Sequence, residues 1–155
     1  MNTRKKINLK VVNPLLDNLG GIPQYGTEGA AAVDLRACIE QVYLLEPGAR
    51  KLIGTGIAID IQDPSLAAMV ASRSGLALKH GCRVSQGLGI IDSDYHGEIG
   101  VILQNDSDKP FEINPGERIA QLVFMPVVQV NFNRVDEFET TTERGEGGFG
   151  STGVK

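Results

Sequence analysis

Turn-forming residues punctuate this chain at short intervals, so that only short structural elements fit between them. Its 155 residues include 19 glycines and 7 prolines. The sequences "EPG" at 46–48 and "NPG" at 114–116 suit turns with proline and glycine at the two central positions. Apolar residues alternate between such turns, as in "GIAIDI", which places Ile57, Ile59 and Ile61 on one face. Strand-sized segments about ten residues apart predict an all-β fold of the barrel or jelly-roll type.

One short helix is expected among the strands, and the end of the chain has a different composition. The helix is predicted in "SGLALKHG", where Gly81 suits the position that ends a helix. The last segment, "TTERGEGGFGSTGVK", is rich in glycine and holds a single aromatic ring. Such a segment cannot bury enough apolar surface to order itself. We therefore assign one β domain to residues 1–140 and a flexible tail to residues 141–155.

Charge and cysteine usage exclude several classes of protein. The net charge is −4, so there is no broad cationic surface of the kind that binds nucleic acid. No apolar stretch approaches the length of a membrane span, and no apolar run follows the charges at the start, "MNTRKKINLKVVN". Cys38 and Cys82 are too few for a disulfide scaffold and are expected to be buried, reduced thiols. We expect a cytoplasmic protein that binds neither nucleic acid nor membranes.

The stretch "IIDSDYHGEIGV" at residues 90–101 carries more functional groups than a turn requires. Its order, apolar then polar then apolar, predicts a β-hairpin. Asp92 and Asp94 at the turn are compatible with ordinary turn chemistry, with a metal pair or with a general base. The ring of Tyr95 beside them suits a planar or sugar ligand.

Two further stretches offer groups that bind phosphate. Arg73, Ser74 and Gly75 stand at the start of the predicted helix, where backbone N–H groups attract anions. A serine cap beside a surface arginine explains the same residues without a ligand. In the tail, Arg144 and Phe149 are compatible with a phosphate contact and a stacking ring, or with plain disorder. Phosphate donors, a carboxylate beside a ring, and a second ring together form the inventory of a nucleoside polyphosphate site.

The chain resembles the trimeric deoxyuridine triphosphate diphosphatases (dUTPases). Five motifs of that family occur in order between about residue 30 and residue 153, and five ordered motifs are far more specific than any one. They are "AAAVDLRA", "SRSGLALKHG", "GLGIIDSDYHGEIGV", "GERIAQL" and "RGEGGFGSTG". The resemblance implies a homotrimer of jelly-roll-like β-barrel subunits. Three chains would then share each active site, and the tail of one chain would close over the site of another.

The resemblance also implies a role for individual residues in the hydrolysis of dUTP to dUMP and pyrophosphate. Asp92 matches the carboxylate that activates the attacking water and contacts the 3′-hydroxyl. Tyr95 matches the ring that packs under deoxyribose and excludes a 2′-hydroxyl, and Asp34 matches an acidic residue that holds Mg²⁺ through water. The other matches are to phosphate-binding Arg73, Ser74, Gly75 and Gln121, to the uracil-reading Gly89, Ile90, Ile91 and Gly100, and to the tail residues Arg144, Phe149, Gly150, Ser151 and Thr152.

Three positions depart from the family pattern. Ala32 stands where glycine is usual, and Ser72 stands where proline is frequent. Gln86 stands near the expected base in place of asparagine and is longer by one methylene. The same set of groups is compatible with two other functions. One is a dCTP deaminase of the same fold, and the other is a trimer that binds deoxynucleotides without turning them over. The aspartate–tyrosine turn and the full glycine-rich tail favour the diphosphatase.

Overall fold

The computed structural model describes residues 4–148, which are built mainly from β-strands. The described residues contain the helix α1 at Ser74–His80 and a 3₁₀ turn at Pro14–Asn18. The strands are β1 Asn8–Val11, β2 Ala32–Arg36, β3 Tyr43–Leu45, β4 Arg50–Gly54, β5 Ile57–Asp60, β6 Leu66–Ala71, β7 Cys82–Val84, β8 Gly89–Ile91, β9 Gly100–Asn105, β10 Phe111–Ile113 and β11 Arg118–Pro126. Of the predicted site residues, Phe149, Gly150, Ser151 and Thr152 lie outside this range.

The strands form four open antiparallel sheets around one apolar core. The sheets have the strand orders β2-β11-β6-β8, β4-β9-β7, β1-β5 and β10-β3. Leu35, Ile59, Val101 and Ile113 come from the four different sheets and are all buried in the same cluster. A mostly β fold with one short helix is therefore confirmed. Within residues 4–148, no helix is long and apolar enough to cross a membrane.

Glycine sets the backbone at the predicted turns and at the end of the helix. Gly48 and Gly116 have φ values of 72° and 75°, which side-chain-bearing residues rarely adopt. In each turn the residue after glycine donates its N–H to the carbonyl of the first turn residue, at 3.0 and 3.1 Å. Gly81 ends α1 with φ 65°, and its N–H bonds to the carbonyl of Ala77 at 3.0 Å. The two turns and the helix end are thus as the sequence predicts.

The predicted hairpin at residues 90–101 is wrong, because its two strands do not pair with each other. β8 pairs with β6, whereas β9 pairs with β4 and β7 in another sheet. The hydrogen bonds that the hairpin would have made are supplied by the segment after β4. Ile99 donates its N–H to the carbonyl of Ile57 at 2.8 Å, and Thr55 donates its hydroxyl to the carbonyl of Ile99 at 2.6 Å. Residues 92–99 therefore cross from one sheet to another.

Beyond β11, residues 127–148 form neither helix nor strand and are almost entirely exposed. Val128, Val130 and Phe132 alternate with polar residues, and each is at least 64% exposed. This period of two is typical of a strand with one apolar face. We call residues 127–138 the C-terminal arm. Its pattern predicts a strand that has no partner among residues 4–148.

Asn105 is fully buried and joins the end of β9 to the end of β3 and to the loop that follows β9. Its Nδ2 donates to the carbonyls of Leu45 at 2.9 Å and Lys109 at 2.7 Å. Its Oδ1 accepts from the N–H and the hydroxyl of Ser107, at 2.9 and 2.7 Å. The side chain therefore makes four hydrogen bonds that tie β9 to Leu45 and to the loop at residues 107–109.

We expect Asn105→Ala to lower the free energy of unfolding by about 2–4 kcal/mol, because buried groups left without partners are costly. Urea denaturation at one fixed protein concentration measures this. Asn18→Ala, at an exposed position of the 3₁₀ turn, is the matched control and should change stability by less than about 0.5 kcal/mol. Equal losses in the two variants would contradict the role of Asn105.

Candidate active site

The stretch at residues 90–101 forms one wall of a pocket of about 250 Å³, which we call the Asp92 pocket. The opposite wall comes from β4 and from β9, which pair in the register Leu52↔Ile102. Most of the predicted base- and sugar-binding residues meet here, although they come from different sheets. The lining residues are Leu52, Gln86, Ile90, Ile91, Asp92, Tyr95, Glu98, Gly100 and Ile102.

Two glycines leave space in and beside the Asp92 pocket. A Cβ on Gly100 would lie 2.6 Å from Cδ1 of Leu52, so the absence of a side chain admits Leu52 to the wall. A Cβ on Gly89 would lie 3.2 Å from Nε2 of Gln86, so this glycine makes room for the longer glutamine side chain. Both glycines stand at positions that the family resemblance assigns to backbone recognition of the base.

The free edge of β8 adds unpaired backbone groups to the pocket wall. β8 is the last strand of its sheet and, among the described strands, pairs only with β6. An edge strand presents N–H and C=O groups that can bind another planar, hydrogen-bonding group. The free edge therefore brings main-chain donors and acceptors to the pocket that Ile90, Ile91 and the Asp92 carboxylate line.

A second group of predicted residues meets at the opposite end of the large sheet. Strand pairing places Gln121 between Asp34 on β2 and Ala71 on β6. Arg73 Nε lies 2.9 Å from Asp34 Oδ1, and Arg118 Nη1 lies 3.3 Å from Asp34 Oδ2. Gln121 Nε2 donates to the carbonyl of Ser72 at 2.8 Å. We call Asp34, Arg73, Arg118 and Gln121 the Arg73 cluster.

The surroundings of the Arg73 cluster are concave and cationic. Two hollows of about 590 and 530 Å³ adjoin it and share Arg36 and Arg118 in their walls. The larger hollow is also lined by Gly75 and Lys79 from α1. One carboxylate, Asp34, balances two guanidinium groups, so positive charge is left over for an anion.

In a single chain the Asp92 pocket and the Arg73 cluster are far apart. Ile91 pairs with Ala68, so Asp92 follows at the level of Ala67 on β6. Arg73 lies six positions further along β6 and its extension, a span of about 20 Å at the usual rise per residue. The pocket shares no lining residue with the two hollows at the cluster. The predicted site residues are therefore not all brought together by one chain.

Comparisons with known proteins identify the family. The family model of dUTPase matches residues 20–153. The chain is 51% identical over 151 residues to a deoxyuridine 5′-triphosphate nucleotidohydrolase of Enterobacter sp. (strain 638), covering 97% of this chain and 99% of the relative. The chain belongs to the dUTPase family. A homologue of the same name from Tolumonas auensis is 52% identical over 149 residues, covering 96% of this chain and 98% of the relative.

A solved dUTPase has the same fold over nearly the whole chain. The Staphylococcus bacteriophage 80alpha dUTPase with dUPNHPP matches with a TM-score of 0.86 and 28% sequence identity. The match covers 97% of this chain and 100% of the phage chain. Membership of the dUTPase family therefore has support from both sequence and structure.

Several residues that line the candidate site were missed by sequence reasoning. Leu52 and Ile102 face the Asp92 pocket only because β4 pairs with β9, and no local pattern indicates that pairing. Arg118 lies within a motif that the sequence analysis recognised. The sequence does not indicate, however, that the strand register places Arg118 beside Asp34. Arg144 lines neither the pocket nor the hollows, and its Nε donates to the carbonyl of Gly147 at 2.9 Å.

The two cysteines are free and buried, as the sequence predicts, and are not suited to nucleophilic chemistry. Burial and the negative charges of Asp106 and Glu117 raise the pKa of Cys82 to about 11. Burial and the charge of Glu98 also raise the pKa of Cys38. The thiolate is the reactive form, so both groups are inert near neutral pH. The stability that the protonated Cys82 thiol contributes is present below its ordinary pKa of 9.0 and is lost as the pH rises through about 11.

We expect neither cysteine of the folded protein to react with Ellman's reagent at pH 8, and both to react in denaturant. Absorbance of the released thiolate measures the reaction. Asp108→Cys, which places a thiol on an exposed loop, should react at once and serves as the control. Rapid labelling of the folded unsubstituted protein would show that a thiol is accessible and would contradict the burial argument.

Proposed function

We propose that the protein hydrolyses dUTP to dUMP and pyrophosphate, a reaction that keeps uracil out of DNA and supplies dUMP. The observation that carries the proposal is the Asp92 pocket, where an exposed carboxylate, a tyrosine ring and the free edge of β8 meet. The nucleotidohydrolase names of homologues that share half of the sequence support the same reaction.

Different residues of the pocket bind the base and the sugar of deoxyuridine. The backbone of Gly89, Ile90, Ile91 and Gly100 hydrogen-bonds the uracil edge, and Gln86 adds a side-chain contact. Cytosine presents an amino group to the same edge, and each mispaired buried group costs about 1–3 kcal/mol. Tyr95, which is 45% exposed in the single chain, packs its ring under the sugar and leaves no room for a 2′-hydroxyl.

Asp92 acts as the general base. Its carboxylate orients a water molecule and accepts the proton as the water oxygen attacks the α-phosphorus, and pyrophosphate leaves. Phosphoryl transfer depends mainly on positioning and on charge stabilisation. Arg73, Ser74, Gly75 and Gln121 bind the phosphates, and Arg144 with the tail residues Phe149, Gly150, Ser151 and Thr152 closes over the nucleotide.

Asp34 suits the Mg²⁺ that a nucleoside triphosphate brings with it. Its side chain is 33% exposed, but its carboxylate is already paired with Arg73 and Arg118, so the ion would be held there through its water and together with the substrate phosphates. The described residues hold no group of three or more His, Cys, Asp or Glu side chains that would form a protein cage. Mg²⁺ commonly keeps its water and is held by a carboxylate together with substrate phosphates. When bound, it offsets charge on the phosphates and on the leaving group.

The active form is a homotrimer of jelly-roll-like subunits, with sites shared between chains. The separation of about 20 Å between Asp92 and Arg73 within one chain exceeds what three phosphate groups span. A neighbouring chain that supplies the Arg73 cluster to the Asp92 pocket removes this separation. The exposed, alternating C-terminal arm offers an edge for pairing with a neighbour and supports the same assembly.

We expect Asp92→Asn to lower kcat for dUTP about 10²–10⁴-fold while dUMP still binds, because only the proton acceptor is lost. Pyrophosphate release measures turnover, and calorimetry measures binding. Asp94→Asn, an exposed carboxylate in the same turn, is the matched control and should stay close to the unsubstituted rate. Undiminished turnover by Asp92→Asn would contradict the assignment. Ammonia released from dCTP, or binding without turnover, would favour the deaminase or the non-catalytic trimer.

Mixing two inactive variants tests the shared site. Asp92→Asn and Arg73→Ala chains, unfolded and refolded together in equal amounts, should regain about a quarter of the unsubstituted activity. One chain then supplies an intact Asp92 and another an intact Arg73, which random assembly achieves at about one site in four. Each variant refolded alone is the control. No recovery despite mixed oligomers would place both residues of a site in one chain.

A further inference from the structure

The carboxylate of Glu98 packs against the backbone of the sequence "GTG" at residues 54–56. Its Oε1 accepts the N–H of Gly56 at 2.8 Å. A Cβ on Gly54 would lie 2.6 Å from the same oxygen, so the glycine leaves the space that the carboxylate fills. Gly56 has φ 74°, a conformation that favours glycine. Two glycines, one at the end of β4 and one in the connection to β5, therefore make space and a hydrogen bond for one side chain of the 92–99 segment.

The residue next to Glu98 is held by the same connection. Thr55 is buried, and both its N–H and its hydroxyl donate to the carbonyl of Ile99, at 3.2 and 2.6 Å. Ile99 in turn donates its N–H to the carbonyl of Ile57 at 2.8 Å. The backbone at residues 98–99 is thus fixed to the core, whereas residues 94–98 are exposed.

The Tyr95 ring is tied to that fixed point. Its hydroxyl donates to the carbonyl of Glu98 at 3.1 Å. Two other contacts hold the same segment without touching the ring: Gln62 donates its N–H to the carbonyl of Ser93 at 3.3 Å, and His96 Nε2 lies 3.0 Å from Asp60 Oδ1. The position of the ring relative to the pocket therefore depends on where the Glu98 carbonyl is held.

We propose that Glu98 is a positioning residue for sugar selectivity. Its carboxylate anchors the segment at Gly56, its carbonyl holds the Tyr95 hydroxyl, and the ring is kept where it excludes a 2′-hydroxyl. This inference rests on the proposed function, in which Tyr95 packs under deoxyribose. Glu98 itself touches no reacting atom. Loss of the carboxylate leaves the Gly56 N–H unpaired, so that the bonds of Thr55 and Ile57 to Ile99 alone hold the Glu98 carbonyl. A shift of about 1 Å at such a contact can change rates 10²-fold.

The test compares Glu98→Ala and Glu98→Gln by the ratio of dissociation constants for UMP and dUMP, measured by calorimetry, with Tm recorded for each variant. Glu98→Ala should reduce the preference for dUMP at least about tenfold. Glu98→Gln should retain it, since the amide oxygen can still accept from Gly56. His96→Ala breaks a different tether of the same segment and should also retain it. The ratio of kcat/KM for dUTP and UTP should follow the binding ratio.

Tyr95→Phe supplies a second, independent readout, because it removes only the hydrogen bond to the Glu98 carbonyl. It therefore tests the link between Tyr95 and Glu98 even if Glu98→Ala does not fold. It should reduce the preference for dUMP in the same direction. An unchanged binding ratio in Glu98→Ala or in Tyr95→Phe would overturn the proposal, as would an unsubstituted protein without preference for dUMP. Binding selectivity without any hydrolysis of dUTP would refute the proposed function and leave the positioning role of Glu98 in place.

Discussion

The pairing of β11 with strands on both of its sides is the interaction on which the rest of the structure depends. Ile119, Ala120 and Leu122 are buried in the core, and the backbone of the same strand bonds to β2 and β6. Because the register is fixed by this burial, Gln121 is brought level with Asp34. A slip by one residue would turn the apolar set outward and would also disperse the charged cluster. Stability and site geometry therefore share one constraint.

The charged cluster holds two arginines beside one carboxylate, as the proposed phosphate binding requires. The side chains of Asp34 and Arg73 are each about one-third exposed, so their ion pair is screened and contributes little to stability. Such a pair orients the guanidinium groups at small energetic cost, and the arginines can exchange the carboxylate for another anion. The arrangement therefore suits a surface that holds arginine side chains in place without burying a charged group.

Local patterns in the sequence predicted much of the fold. The features that they did not predict depend on pairing between strands that are distant in sequence. The turns at Gly48 and Gly116 and the end of the helix follow from residues a few positions apart. The hairpin at 90–101 failed because the β4–β5 connection takes the hydrogen bonds of Ile99. Leu52, Glu98 and Arg118 gain their positions only from strands distant in sequence. Tail residues such as Phe149 remain predictions, as they lie outside the described range.

The distance between the two halves of the site has a consequence for how activity depends on concentration. If each half is completed by a neighbour, a newly made chain is inert until it meets others of its kind. On dilution the specific activity then falls with dissociation of the assembly. A defective chain would likewise impair the sites to which it contributes only some of the residues. A harmful substitution in one chain would then lower the activity of sites that contain unsubstituted neighbouring chains.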